Sequence, residues 1–158
     1  RITELEKVAA PVSDGLQRVG RLIDTINNGS PIADSVTAPE LMVVMAGGQG
    51  SGVRITQAEI NNIVGGQSKW EAMKAALNQW NTDPAKANKI LEPMRGQIKA
   101  LVSKVNEKLV AKQAVIETAR QALVDSNDPK EHKQIVADAR KAIAAIDSGP
   151  TVKKNPFR

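Results

Sequence analysis

The first residues of the chain carry a heptad-like pattern of apolar positions. They recur at alternating steps of three and four: Ile2, Leu5, Ala9, Val12, Leu16, Val19, Ile23 and Ile26. This spacing is typical of the seam of a coiled coil or of a long bundle helix. Pro11 interrupts it and predicts either a kink or a helix that starts there, because a proline inside a helix costs about 3 kcal/mol. Asn28 and Gly29 predict the end of this helix.

Three short helices are predicted in the next part of the chain. Thr37, Thr56 and Ser68 each precede a glutamate by three positions, which is the spacing of a capping box. The predicted helices cover about 38–46, 57–64 and 69–81, and glycines separate them. Trp70, Met73, Leu77 and Trp80 share one face of the last of these helices, which predicts that they anchor the core. Asp83 followed by Pro84 predicts one further helical turn.

The second half of the chain predicts two longer helices that run antiparallel. An apolar stripe extends from Pro93 to about residue 126, through Met94, Ile98, Leu101, Val105, Leu109, Ile116 and Leu123. A second stripe covers about 129–147, with Ile135, Val136, Ala139, Ile143 and Ile146. The connection at 127–129 is so short that the second helix must turn back along the first. The predicted fold is therefore all-α, an irregular helical bundle with a long antiparallel pair at about 93–147.

The pattern divides the chain into three parts. Residues 1–29 form a helical arm that either completes the bundle or projects from it, 30–150 form the helical domain, and 151–158 are a flexible basic tail. Four glycines within residues 47–52 predict that 47–54 is the most mobile interior segment. This stretch does not match a phosphate-binding loop, because it has no Gly-Lys-Ser/Thr sequence and no preceding strand.

Composition argues against several kinds of chemistry. The 158 residues include no cysteine, a single histidine (His132) and three aromatic residues. Disulfides, thiol nucleophiles and cysteine-based metal sites are therefore excluded, and so is a histidine-rich metal centre within one chain. The glutamates at helix starts are accounted for by capping, and His132 is expected on the surface. The sequence therefore predicts no catalytic residues, no metal and no cofactor, and a protein that is not an enzyme.

Positive charge is concentrated in the second half of the chain. The formal net charge is +5; residues 1–66 carry five basic and seven acidic side chains, and residues 67–158 carry seventeen basic and ten acidic ones. The basic side chains Lys99, Lys104, Lys108, Lys112 and Arg120 are predicted to decorate the solvent-facing surface of the long helix. The alternative is binding of nucleic acid through this basic half, independent of sequence, with the tail contributing.

The preferred hypothesis is a structural or protein–protein interaction module. Its partner-binding candidates are the heptad positions Ile2, Leu5, Val12, Leu16, Val19 and Ile23, together with Arg54 in the glycine-rich loop. Residues 1–26 are the predicted surface for a protein partner or for self-association. No small-molecule substrate is indicated. The longest apolar run has six residues, at 41–46, so no membrane span or signal segment is predicted; the compartment stays undetermined.

One stretch resembles part of a known class of proteins. Residues 50–60 read GSGVRITQAEI, and VGG at 64–66 and SKWE at 68–71 follow. This glycine-rich loop, basic residue and short helix are similar to a segment of virion-associated helical proteins encoded by phages and prophages. The resemblance covers about 20 residues and implies a place in a larger assembly, without any catalytic residue.

Overall fold

A computed structural model describes residues 2–28, 53–80 and 82–149 of the chain. Every regular element in these ranges is a helix, which confirms the predicted all-α bundle. The elements are α1 (Ile2–Asn27), α2 (Gln57–Val64), α3 (Gln67–Gln79), α4 (Pro84–Leu91), a 3₁₀ turn (Glu92–Met94), α5 (Arg95–Asp125) and α6 (Pro129–Asp147).

The long helix α5 is the centre of the bundle. Its inner face is fully buried along most of its length, at Ile98, Leu101, Val102, Val105, Leu109 and Ile116. At 31 residues and 1.5 Å per residue it is a rod of about 46 Å, long enough for α1, α2 and α6 all to contact it. The short turn at 126–128 returns the chain, so α5 and α6 form the predicted antiparallel pair. His132, in the first turn of α6, has its Nε2 2.5 Å from the Ser126 carbonyl oxygen and is half-buried, so it is not a fully solvated histidine.

Helix α1 lies antiparallel along α5 and completes the bundle. Glu6 near its start pairs with Arg120, and the Ile26 carbonyl near its end accepts a hydrogen bond from Arg95 at 3.2 Å. Helix α1 continues through Pro11, so the predicted start at that residue is wrong. Pro11 is exposed, so water can solvate the carbonyl oxygen of Lys7 that lacks a helical partner.

Most of the heptad pattern is buried inside this chain. Leu5, Ala9, Val12, Val19 and Ile26 are at most 4% exposed, and Leu16 and Ile23 are partly buried against the same core. Leu22, which the heptad pattern omits, is 1% exposed. The buried face of α1 therefore drifts around the helix relative to a strict 3.5-residue repeat, as expected for a helix with 3.6 residues per turn.

The short helices begin and end where local backbone chemistry allows. Thr56 caps α2 with the predicted capping box, and Gly65 ends that helix with a φ of 95°. The capping box predicted at Ser68 is wrong, because α3 already begins at Gln67 with Gly66 as its N-cap. Gly65 and Gly66 both have positive φ, so the chain turns sharply and enters α3 without a linker.

Asp83 caps α4 by accepting a hydrogen bond from the Lys86 amide, so the predicted single turn is an eight-residue helix.

The apolar face of α3 is the predicted core anchor. Trp70, Met73 and Leu77 are at most 3% exposed, and Trp80 is partly buried against them. The helix predicted at 38–46, the tail at 151–158 and residues 47–52 of the glycine-rich stretch lie outside the described residues. None of the described helices is long and apolar enough to cross a membrane.

The burial of Leu22 gives a test of whether α1 belongs to the bundle. Leu22→Ala should lower the free energy of unfolding by about 2–5 kcal/mol, because it removes a buried side chain and leaves a cavity. Gln17→Ala, on the exposed face of the same helix, should change it by about 0.5 kcal/mol or less. Urea denaturation of both variants measures the difference. Equal, small effects would mean that α1 contributes little to the stability of the monomer.

Candidate functional site

Five charged residues meet where the C-terminal end of α6 reaches α5. They are Arg54, Glu59, Lys108, Lys112 and Asp147, and we call them the charge junction. Lys108 is 5% exposed and lies at its centre. Its Nζ donates hydrogen bonds to the Arg54 carbonyl at 2.9 Å and to Glu59 Oε1 at 2.6 Å, and it lies 3.4 Å from the Asp147 carbonyl. One ammonium group therefore links α5 to α2, to α6 and to the segment before α2.

Asp147 forms the second half of the charge junction. Its Oδ1 accepts from Lys112 Nζ at 2.7 Å and from the Arg54 backbone N–H at 2.8 Å. Lys112 is 3% exposed. Both lysines stand at the C-terminal end of α6, where the helix dipole places partial negative charge, so that end offsets part of the cost of burying them.

Glu59 serves both the cap of α2 and the charge junction. Its Oε1 accepts from the Thr56 backbone N–H at 2.9 Å and from the Thr56 hydroxyl at 3.0 Å, in addition to Lys108. Among the described residues, Oε2 accepts no hydrogen bond, and Lys104 Nζ lies 3.9 Å from it. Burial raises the pKa of Glu59, but the hydrogen bonds from Lys108 and Thr56 outweigh burial and leave that pKa below its usual value.

Gly149 closes the charge junction from the other side. It has a φ of +76°, in the left-handed region that favours glycine. A Cβ at this position would lie 3.1 Å from both the carboxyl carbon and Oε1 of Glu59. A side chain at this position would therefore be strained by the positive φ and would require the Glu59 carboxylate to move by a few tenths of an ångström.

The positions of Lys108 and Lys112 correct the prediction that they face solvent. Both lie on the buried face of α5, where the apolar stripe jumps seven residues from Leu109 to Ile116. Lys112 stands within that gap at helical spacing from both, and Lys108 is three residues after Val105. The gap in the apolar stripe was the sequence signal that a lysine occupies a core position. A pattern of apolar positions alone does not reveal it, because lysine is treated as a surface residue.

A groove opens beside the charge junction, between the segment before α2 and the ends of α3 and α6. It encloses about 830 Å³, and we call it the Arg54 groove. Its lining comprises Arg54, Ile55, Thr56, Gln57, Ile60, Trp70, Lys74, Ala144, Asp147 and Ser148. Ile55, Ile60 and Trp70 are at most 6% exposed and form an apolar floor. Lys74 Nζ lies 5.4 Å from the centre of the Trp70 ring, within cation–π range.

Arg54 is exposed at the edge of this groove, yet its backbone is fixed. Its N–H donates to Asp147 and its carbonyl accepts from Lys108. Val53, just before it, is 6% exposed. Residues 53 and 54 are thus held by hydrogen bonds and burial, and the mobility expected of 47–54 stays a prediction. The Arg54 guanidinium makes no hydrogen bond or ion pair with any residue that the structure describes.

The candidate residues named from the sequence are not brought together. Leu5, Val12 and Val19 lie in the core between α1 and α5, whereas Arg54 lies beside the far end of α6. The side chain of Ile2 is outside the described residues. That the heptad positions bind a partner stays a prediction, although within this chain their main contact is α5.

Searches against protein-family models, curated proteins and solved structures find no match to this chain. In residues 2–28, 53–80 and 82–149, no group of three histidine, aspartate or glutamate side chains is arranged to hold a metal ion.

Removal of the central ammonium should destabilise the fold strongly. Lys108→Met leaves the buried Glu59 carboxylate and two carbonyls without their donor, and we expect a loss of about 3–5 kcal/mol in the free energy of unfolding. Lys104→Met, one turn earlier and 27% exposed, should cost about 1 kcal/mol or less. Chemical denaturation followed by circular dichroism compares the two. Equal costs would show that the charge junction does not hold the helices together.

Glu59 should make stability depend on pH in the acidic range. Because its pKa is lower in the folded chain, its contribution is complete above the unfolded value, about 4.3, and is lost as the pH falls through the folded value. Glu59→Gln should therefore flatten the fall in unfolding free energy below about pH 5. Glu107→Gln, at an exposed carboxylate, is the control and should keep the wild-type slope. Urea titrations at several pH values measure both slopes.

Proposed function

We propose that this chain is a non-enzymatic helical module that binds another protein within a larger assembly. The observation that carries the proposal is the Arg54 groove, where a guanidinium that pairs with no residue in the described part of the chain stands at the edge of an apolar floor. Interfaces are typically organised around arginine and aromatic anchors over a desolvated core. The resemblance of residues 50–71 to virion-associated helical proteins supports the same class of function.

The groove is a better partner surface than the heptad seam. In this fold the apolar seam of α1 is covered by the core of the same chain, and a partner would have to displace those contacts. Among the partner-binding candidates named from the sequence, Arg54 is the one with a charged side chain, and this residue is exposed. Its backbone is already fixed by Asp147 and Lys108, so little backbone freedom is lost when a partner binds.

Capture of a partner by the full chain tests this function. The immobilised chain should retain at least one protein from cells that produce it, and Arg54→Gln should lose that protein. Lys130→Gln removes one positive charge at the other end of α6, and it should retain the partner. If the wild type retains nothing, or if all three proteins retain the same set, the Arg54 groove is not the interaction surface.

Binding of nucleic acid through the basic half is the alternative function. Lys108 and Lys112 belong to the basic half that suggested this alternative. Both are buried and paired with carboxylates, so they are not accessible to the phosphates of a nucleic acid. This observation favours the protein partner.

A further inference from the structure

We infer that the Arg54 groove binds an acidic segment of the partner, an aspartate or glutamate next to an apolar residue, with its carboxylate between Arg54 and Lys74. This inference rests on the proposed function and names the chemistry of the partner. Three observations support it: two cations stand at the edge of the groove, Asp147 in its lining is already paired with Lys112, and the floor is apolar.

Arg54 supplies the first cation. An arginine fork can donate two parallel hydrogen bonds to one carboxylate, which adds geometric specificity to the charge attraction. The guanidinium forms no ion pair with any acid among the described residues. The Arg54 main chain is held by Lys108 and Asp147 at 2.9 and 2.8 Å, so the side chain starts from a fixed point.

Lys74 supplies the second cation. Its Nζ is held over the Trp70 ring and lies 3.1 Å from Glu71, whose side chain is 54% exposed. Such a surface pair within one helix contributes little stability, about 0.3–0.5 kcal/mol. A carboxylate that arrives in the groove can therefore replace Glu71 as the partner of Lys74 at small cost.

Among the described residues that line the groove, Asp147 is the only acidic one, and its charge is already compensated. Its Oδ1 accepts from Lys112 Nζ and from the Arg54 N–H. Lys112 is 3% exposed and cannot follow a ligand into solvent. The lining thus offers a net positive charge to a partner, in keeping with the net charge of +5 of the whole chain.

The floor and the size of the groove define the rest of the occupant. Ile55, Ile60 and Trp70 line the same groove as Arg54 and Lys74 and supply its apolar part, and Lys74 Nζ lies over the Trp70 ring. The volume of about 830 Å³ is within the range of 300–1,000 Å³ that is typical of small-ligand sites. It accommodates a few side chains of an extended segment, one apolar on the floor and one acidic at the edge.

A blocked peptide of sequence Gly-Glu-Leu-Glu-Gly is the probe, and the same peptide with glutamine for glutamate is its control. Calorimetry at low salt should detect the glutamate peptide and show binding at least about tenfold weaker for the glutamine peptide, as expected when a charge-assisted hydrogen bond is lost. Arg54→Gln should weaken binding about tenfold and Lys74→Gln about threefold. Lys130→Gln should bind as the wild type does. Thermal unfolding of Arg54→Gln should match the wild type, because its side chain has no partner among the described residues.

Four results would overturn the inference: no binding of the glutamate peptide, equal binding of both peptides, equal weakening by Arg54→Gln and Lys130→Gln, or tighter, Arg54-dependent binding of a single-stranded oligonucleotide. The first three identify no acidic site, and the fourth identifies a phosphate-bearing partner. If the capture experiment succeeds while the peptide fails, the proposed function stands and only the acidic chemistry is wrong. If capture also fails, the function itself is wrong.

Discussion

The buried ammonium of Lys108 is the constraint on which this end of the molecule depends. A charge withdrawn from water is tolerated only when hydrogen bonds and an opposite charge replace its hydration. Lys108 finds them on three separate parts of the chain: the Arg54 carbonyl, the Glu59 carboxylate and the end of α6. Since each of these partners must be in place together, the geometry of the Arg54 groove is tied to one side chain of the central helix.

The two ends of the bundle use charge in different ways. Near the turn between α5 and α6, Glu4 pairs with Arg140 and Glu6 with Arg120, all on the surface. Lys7 and Arg140 lower the pKa of Glu4, and the hydrogen bonds that Arg120 donates to Glu6 raise the pKa of Arg120. Such exposed pairs contribute little and are screened by salt. At the other end the lysines of the pairs are buried, so these pairs are costly to break and fix the geometry there.

Much of the fold could be predicted because its signals are local. The box of Thr56 and the glycine at position 65 set the bounds of α2 to the residue, and the apolar stripes identified α5 and α6. Ser68 shows the limit, since its spacing was right but the turn at Gly65 and Gly66 already starts α3. Of the residues of the candidate site, the sequence identified only Arg54 as a functional candidate. The members of the charge junction pair across 35 residues (Lys112 to Asp147) to 93 residues (Arg54 to Asp147) of sequence, and no local pattern encodes such partners.

Gly149 and Glu59 carry a consequence for how this sequence can diverge. The carboxylate fills the space beside the glycine, and it also balances Lys108. A change at Glu59 alone leaves a buried cation uncompensated, and a change at Lys108 alone leaves an anion without its partner, so loss of both charges together leaves less charge uncompensated than loss of either. Substitutions at these positions are therefore strongly coupled. We expect descendants of this chain to keep the pair together or to lose it in concert, with single replacements surviving only as brief intermediates.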